Sequence, residues 1–206
     1  QMMENAGRNL AKLARRMLDG KLAGCKIVAL CGAGNNGGGG MVAARHLHNW
    51  GAHVQAKLVG VPARLKEAPA HQWRILQAMG IAAHETLDLA RADLILDAII
   101  GYGLTGNPRG GAAEWIERAH GSGRPILALD APSGLDTTSG LGGQPCIRAT
   151  ATLTLALPKT GLIAPQAQPL VGELYLADIG VPPELYRRIG LEVGTLFAED
   201  TIIRIN

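Results

Sequence analysis

The chain has 206 residues, 47% hydrophobic and 18% charged. That length buries a core of ordinary size in one domain spanning 1–206, and the composition excludes intrinsic disorder and a coiled coil. The net charge of +3 comes from scattered Lys and Arg, and only 3% of residues are aromatic. No nucleic-acid partner is expected, because both a clustered basic footprint and base-stacking platforms are missing.

No apolar run approaches the roughly 18 residues of a membrane span, and the longest, around Leu94 to Ile100, is broken by Asp97. Cys25, Cys31 and Cys146 are odd in number and lack C-x-x-C spacing, which predicts buried reduced thiols and a cytoplasmic location. The start at Gln1, without an initiator Met, is compatible with a removed presequence.

In chain order, Met3, Ala6, Leu10, Leu13, Ala14 and Met17 recur at helical spacing and predict an amphipathic helix ending near Gly20. Lys26 to Leu30 reads as a strand running into a glycine loop, with a helix resuming from Met41 to Trp50. Further strands are expected at Val54 to Val59, Leu94 to Ile99, Ile126 to Leu129, Ala151 to Leu157 and Glu173 to Ala177. Helices are expected at Ala70 to Met79, Ala112 to His120 and Pro183 to Ile189. This alternation predicts an α/β fold, a Rossmann-like three-layer α/β/α sandwich with a mostly parallel sheet. Ligands of such sheets sit at the carboxyl ends of the strands.

Three strand ends carry unusual chemistry. After the first strand come six glycines and two asparagines within residues 32–40. Gly32, Gly34 and Gly37 satisfy G-x-G-x-x-G, yet no acidic residue lies between Gly20 and Lys66, so an ordinary NAD fingerprint is poorly supported. At the second strand end, Asp97 interrupts an apolar run. Such a carboxylate must be paired, hydrogen-bonded or bound to a cation, and backbone N–H groups alone could satisfy it. The third end carries Asp130 before Ala131-Pro132-Ser133, where Asp130 reads equally as an Asx turn former. Asn36, Asp97 and Ser133 together offer oxygen ligands only, the donor set of a hard cation. His46 and His48, two apart on a helix, point away from each other and read as a surface or packing pair. Lys159 follows the Leu157-Pro158 strand end and reads as a solvated loop lysine, with a phosphate contact as the alternative. Ser133 lacks the G-x-S-x-G surroundings of a hydrolase nucleophile.

Several segments taken together are distinctive: Met3-Glu4-Asn5-Ala6-Gly7, Gly34-Asn35-Asn36-Gly37-Gly38-x-Gly40, Ala43-Ala44-Arg45-His46-Leu47, Asp97-Ala98-Ile99-x-Gly101, Asp130-x-Pro132-Ser133-Gly134-Leu135-Asp136 and Asp178-Ile179-Gly180-Val181-Pro182. In this order they resemble the NAD(P)H-hydrate epimerase family, the YjeF N-terminal domain. The resemblance implies an isomerase that interconverts the R and S forms of NADHX and NADPHX, often as a homodimer. A separate ADP- or ATP-dependent dehydratase, fused in some members, then restores the S form. It also implies that Asn35, Asn36, Gly37, Gly38 and Gly39, then Gly101, Tyr102, Gly103, Leu104, Thr105, Gly106 and Asn107, and finally Asp130 surround the substrate. Asp130 is the preferred acid/base, and Asn36, Asp97 and Ser133 would hold a potassium ion. The chain departs from the family pattern at Gly39, where an aspartate is expected. A glycine there leaves room for a water in place of the carboxylate, and reduced activity follows. Relatives of this fold also act as non-catalytic scaffolds, so a nucleotide-binding or scaffold module is the alternative reading.

Overall fold

The computed structural model describes residues 1–83 and 87–205. Its eight strands form one sheet in the order β3-β2-β1-β4-β5-β6-β7-β8. They are β1 (Lys26–Gly32), β2 (His53–Val59), β3 (Ala82–Ala83), β4 (Leu94–Ala98), β5 (Ile126–Leu129), β6 (Ala151–Leu155), β7 (Glu173–Ala177) and β8 (Ile202–Arg204). All neighbours are parallel except β8, which runs antiparallel to β7. The helices are α1 (Met2–Met17), α2 (Asn35–Asn49), α3 (Glu67–Ala78), α4 (Gly110–Gly121), α5 (Gln168–Val171) and α6 (Pro183–Arg188).

Alternation along the strands sorts side chains into two layers. Ala29 and Cys31 of β1 and Leu94, Leu96 and Ala98 of β4 pack with Leu10 and Leu13 of α1, Met41 and Leu47 of α2, and Leu76 of α3. Val28, Leu30 and Ile95 point the other way, onto Trp115, Ile116 and Ala119 of α4. The predicted three-layer arrangement is therefore present. The chain leaves β1 outward to β2 and β3, then returns to place β4 on the other side of β1. That reversal opens a crevice at the carboxyl ends of β1 and β4, the usual ligand position in such sheets.

One boundary differs in a way that matters. The glycine segment was expected to be a loop, but α2 already begins at Asn35 and takes in Gly37 to Gly40. Close packing explains why so many poor helix formers are used. A Cβ on Gly37 would lie 1.8 Å from the Gly32 carbonyl oxygen, and one on Gly40 would lie 2.5 Å from Ala98 Cβ. The first turns of α2 thus lie directly on β1 and β4, closer than any larger residue allows. The very short β3, the three-residue edge strand β8 and the four-residue α5 were not anticipated; each is too short to show a period. The strands ending at β4 and β6 stop one and two residues short of expectation, and α1 ends three residues before Gly20.

Candidate functional site

The crevice gathers the three predicted strand ends. Asp97 lies in β4 between Leu30 of β1 and Ala128 of β5, and it is completely buried. Its carboxylate accepts the Ser133 hydroxyl at 2.6 Å, the Ser133 N–H at 2.7 Å and the Ile99 N–H at 3.3 Å. Ser133 Oγ in turn accepts the Ile100 N–H at 2.8 Å. One carboxylate thereby pins the turn after β5 to the turn after β4. Burial pushes Asp97 up to about 6, with the Ser133 and Ile99 hydrogen bonds pulling it partly back. Among the described residues no cationic side chain pairs with it.

Asp130 follows β5 in a left-handed backbone conformation, φ +68°. For a non-glycine residue that conformation costs roughly 1–2 kcal/mol. Its side chain does not cap its own turn, so the Asx alternative is not what the structure shows. Oδ2 reaches across to accept the Tyr102 N–H at 3.3 Å, and Oδ1 is paired with Lys159 Nζ. Here the expectation of a solvated Lys159 is corrected. The ammonium also donates to Thr154 Oγ1 at 3.0 Å and to the Leu155 carbonyl at 3.1 Å. The physical reason is the reversal at Ala156, whose φ of +65° turns the chain back over the end of β6, the strand beside β5. Position signalled this lysine, since it follows a strand at the ligand end of the sheet; an alanine in a left-handed turn gave no signal.

Asn36 and Asp130 converge at Gly101. A Cβ on Gly101 would meet Asn36 Cγ at 3.1 Å and Asp130 Oδ2 at 3.2 Å, so a larger residue here would press both side chains aside by a few tenths of an ångström. Asn36 Nδ2 is buried without a hydrogen-bond partner. The amide is the same shape turned over, and so turned it places an unused carbonyl oxygen at that spot. An orphaned amide, a buried carboxylate without a counter-charge and a hydroxyl are, as donor types, those of a monovalent hard-cation site. No group of three or more His, Cys, Asp or Glu suited to a metal occurs among the described residues.

The remaining predicted residues divide by exposure. Asn35, Tyr102, Gly103, Thr105, Gly106 and Asn107 are exposed around the crevice, and Asn36, Gly101 and Leu104 are half-buried. Asn107 accepts the Gln144 N–H on its side-chain oxygen at 3.0 Å. Gly37, Gly38 and Gly39 are buried beneath the crevice rather than lining it openly. A Cβ on Gly39 would meet Leu129 Cδ2, the tip of a flexible side chain, at 2.7 Å and no other atom of the described residues beyond its own helix within 4 Å. Of the cysteines only Cys31 is fully buried, while Cys25 and Cys146 are half-buried; all three are free thiols. His46 packs against Trp50 with ring centroids 5.5 Å apart and meets Glu4 at 2.8 Å, and His48 is exposed, as expected of a packing and surface pair. An apolar cavity of about 390 Å³ lies beside the crevice, near Pro182, Leu196 and Phe197. Its single carboxylate, Asp178, is engaged by the Gly180 N–H at 2.7 Å.

No helix among the described residues is long and apolar enough to cross a membrane. The family model described as YjeF-related protein N-terminus matches residues 1–161. An NAD(P)H-hydrate epimerase of Dehalogenimonas lykanthroporepellens is 44% identical over 93% of this chain and 77% of its own length. A bifunctional NAD(P)H-hydrate repair enzyme Nnr of Moorella thermoacetica is 39% identical over 89% of this chain, which spans 37% of that longer protein. The crystal structure of yeast ynu0 superposes with a TM-score of 0.82 at 24% identity, covering 100% of this chain and 89% of that one, a likeness of fold. With a matched model over most of its length and relatives of this similarity, the chain belongs to the YjeF-related N-terminal family.

Proposed function

We propose that the chain is an NAD(P)H-hydrate epimerase, interconverting the R and S forms of NADHX and NADPHX, whose reduced nicotinamide ring carries water added at C6. The observation that carries this reading is Asp130, a carboxylate at the carboxyl end of β5, one strand from the topological switch, with one oxygen held by a lysine and the other turned to a glycine loop. The names of the relatives support the substrate class.

C6 of the hydrate bears a hydroxyl and the ring nitrogen. Changing its configuration requires the C–O or the C–N bond to break and to re-form on the other face, and either route needs one proton delivered and one removed. Asp130 Oδ2 does this work as acid and base in turn. Asn35, Asn36 and residues 101–107 hold the nucleotide around it, with the first turn of α2 offering N–H groups to a phosphate. Potassium bound by Asn36, Asp97 and Ser133 would supply the positive charge that offsets the buried carboxylate. Asp97 and Ser133 keep the two loops in register, which fixes Gly101 beside Asp130. The free thiols support a cytoplasmic setting, the family resemblance a homodimer, and the fused relatives a functional link to an ADP- or ATP-dependent dehydratase.

The test is exchange of R- and S-NADPHX followed by NMR or chromatography with the pure protein. Exchange faster than the spontaneous rate is expected. Nucleotide binding without any acceleration would replace this reading with the scaffold one.

A further inference from the structure

We propose that Lys159 is the positioning residue for Asp130, fixing which of its two oxygens meets the substrate. The inference rests on the reading of Asp130 as the acid/base, and one of its two readouts below does not. An ammonium has three protons, and here each has an acceptor: Asp130 Oδ1, Thr154 Oγ1 and the Leu155 carbonyl. Thr154 is completely buried and Lys159 mostly so, its side chain 23% exposed. The lysine therefore has no proton left for a phosphate, and it cannot reach a ligand without releasing Asp130.

The consequence falls on the carboxylate. With Oδ1 tied to the end of β6, the plane of the group is set and Oδ2 is left facing the glycine loop, near Gly101 and Asn36. The Tyr102 N–H at 3.3 Å occupies one lone pair of Oδ2 and leaves another free for a substrate proton. A rotating carboxylate would present either oxygen, and misplacement by about 1 Å can cost about a hundredfold in rate. Asp130 sits on a left-handed backbone position after its strand, so its direction depends on such external ties.

The experiment compares Lys159→Met, which keeps the stem and removes the ammonium, with Lys159→Arg, which keeps the charge. For Lys159→Met the expected result is a kcat for hydrate exchange lowered about 10- to 100-fold with KM changed by less than about threefold. Lys159→Arg, still able to pair with Oδ1, recovers part of the loss. Independently of activity, amide NMR reads the Tyr102 N–H, which should lose protection from exchange in Lys159→Met. The Ile100 N–H, held by Ser133 Oγ a few residues away, should keep its protection. An unchanged Tyr102 amide in Lys159→Met overturns the proposal. So does equal loss of protection at Ile100 and Tyr102, which marks a merely structural lysine, or equal kcat loss in both variants. Absence of exchange in the parent protein would instead remove the epimerase reading, with the Tyr102 measurement still deciding the role of Lys159.

Discussion

Two carboxylates stand at neighbouring strand ends, and their surroundings divide the work between them. Asp97 at β4 is sealed and satisfied only by neutral donors, a hydroxyl and two N–H groups. Asp130 at β5 has a cation on one oxygen and an open loop on the other. The first is a fixed joint between two loops, whose unpaired charge suits a bound cation. The second is held yet reachable, as proton transfer requires. In the proposed function the same residue type, one strand apart, thus serves as anchor or as reagent according to what donates to it.

The sharpest way to break this comparison is to remove the reagent. Asp130→Ala should lower hydrate exchange about 10²- to 10⁴-fold while the protein still unfolds cooperatively, and an unchanged rate would reject its acid/base role.

The anchor should show itself in stability. Burial raises the pKa of folded Asp97 from the ordinary 3.8 to about 6, so the folded state binds that proton more tightly. The stabilisation is fully present below about pH 4 and is lost as the pH rises through about 6, on the order of 3 kcal/mol for the whole shift. Potassium should offset this loss. Urea unfolding in potassium and in a bulky organic cation should therefore diverge increasingly from pH 4.5 to 7. A difference that is zero or independent of pH would count against a cation at Asp97.

Ser133→Ala should cost roughly 1.5–3 kcal/mol in chemical denaturation, since the carboxylate loses its hydroxyl donor and the Ile100 N–H loses its acceptor. A loss below about 0.5 kcal/mol would show that backbone donors suffice for Asp97.

The smallest effect concerns the floor of the crevice. Gly39→Asp forces Leu129 Cδ2 aside, a strain of about 1–3 kcal/mol. Leu129→Ala should accordingly cost less in the Gly39→Asp background than in the parent, and simple additivity across the four proteins would show that the two sites do not touch. Once Leu129 yields, the added carboxylate is expected to raise exchange about tenfold to a hundredfold, as for one charge-assisted hydrogen bond.

Much of this architecture is legible in the residues. β1, β4, β5 and β7 are apolar runs bounded by turn residues, and their alternation with helices predicts the parallel sheet and its ligand end. Asp97 and Asp130 stand out because each interrupts or ends such a run. The start of α2 was hidden because glycines disfavour a helix by propensity, and only the backbone of β1 and β4 lying against them explains their use. The pairing of Lys159 is not legible in the residues because it depends on two left-handed positions, Asp130 and Ala156, neither of which is a glycine. Leu129 against Gly39 joins positions ninety residues apart, a contact that composition and period do not encode.

In the proposed function the carboxyl ends of β1, β4 and β5 form one nucleotide site around Asp130. Titration of the nitrogen-15-labelled protein with NADPHX, followed through its backbone amides, tests this most directly. The largest shifts are expected at residues 34–40, at 101–107 and at Asp130. Shifts confined to the apolar cavity near Pro182 and Phe197, with the crevice unmoved, would contradict it.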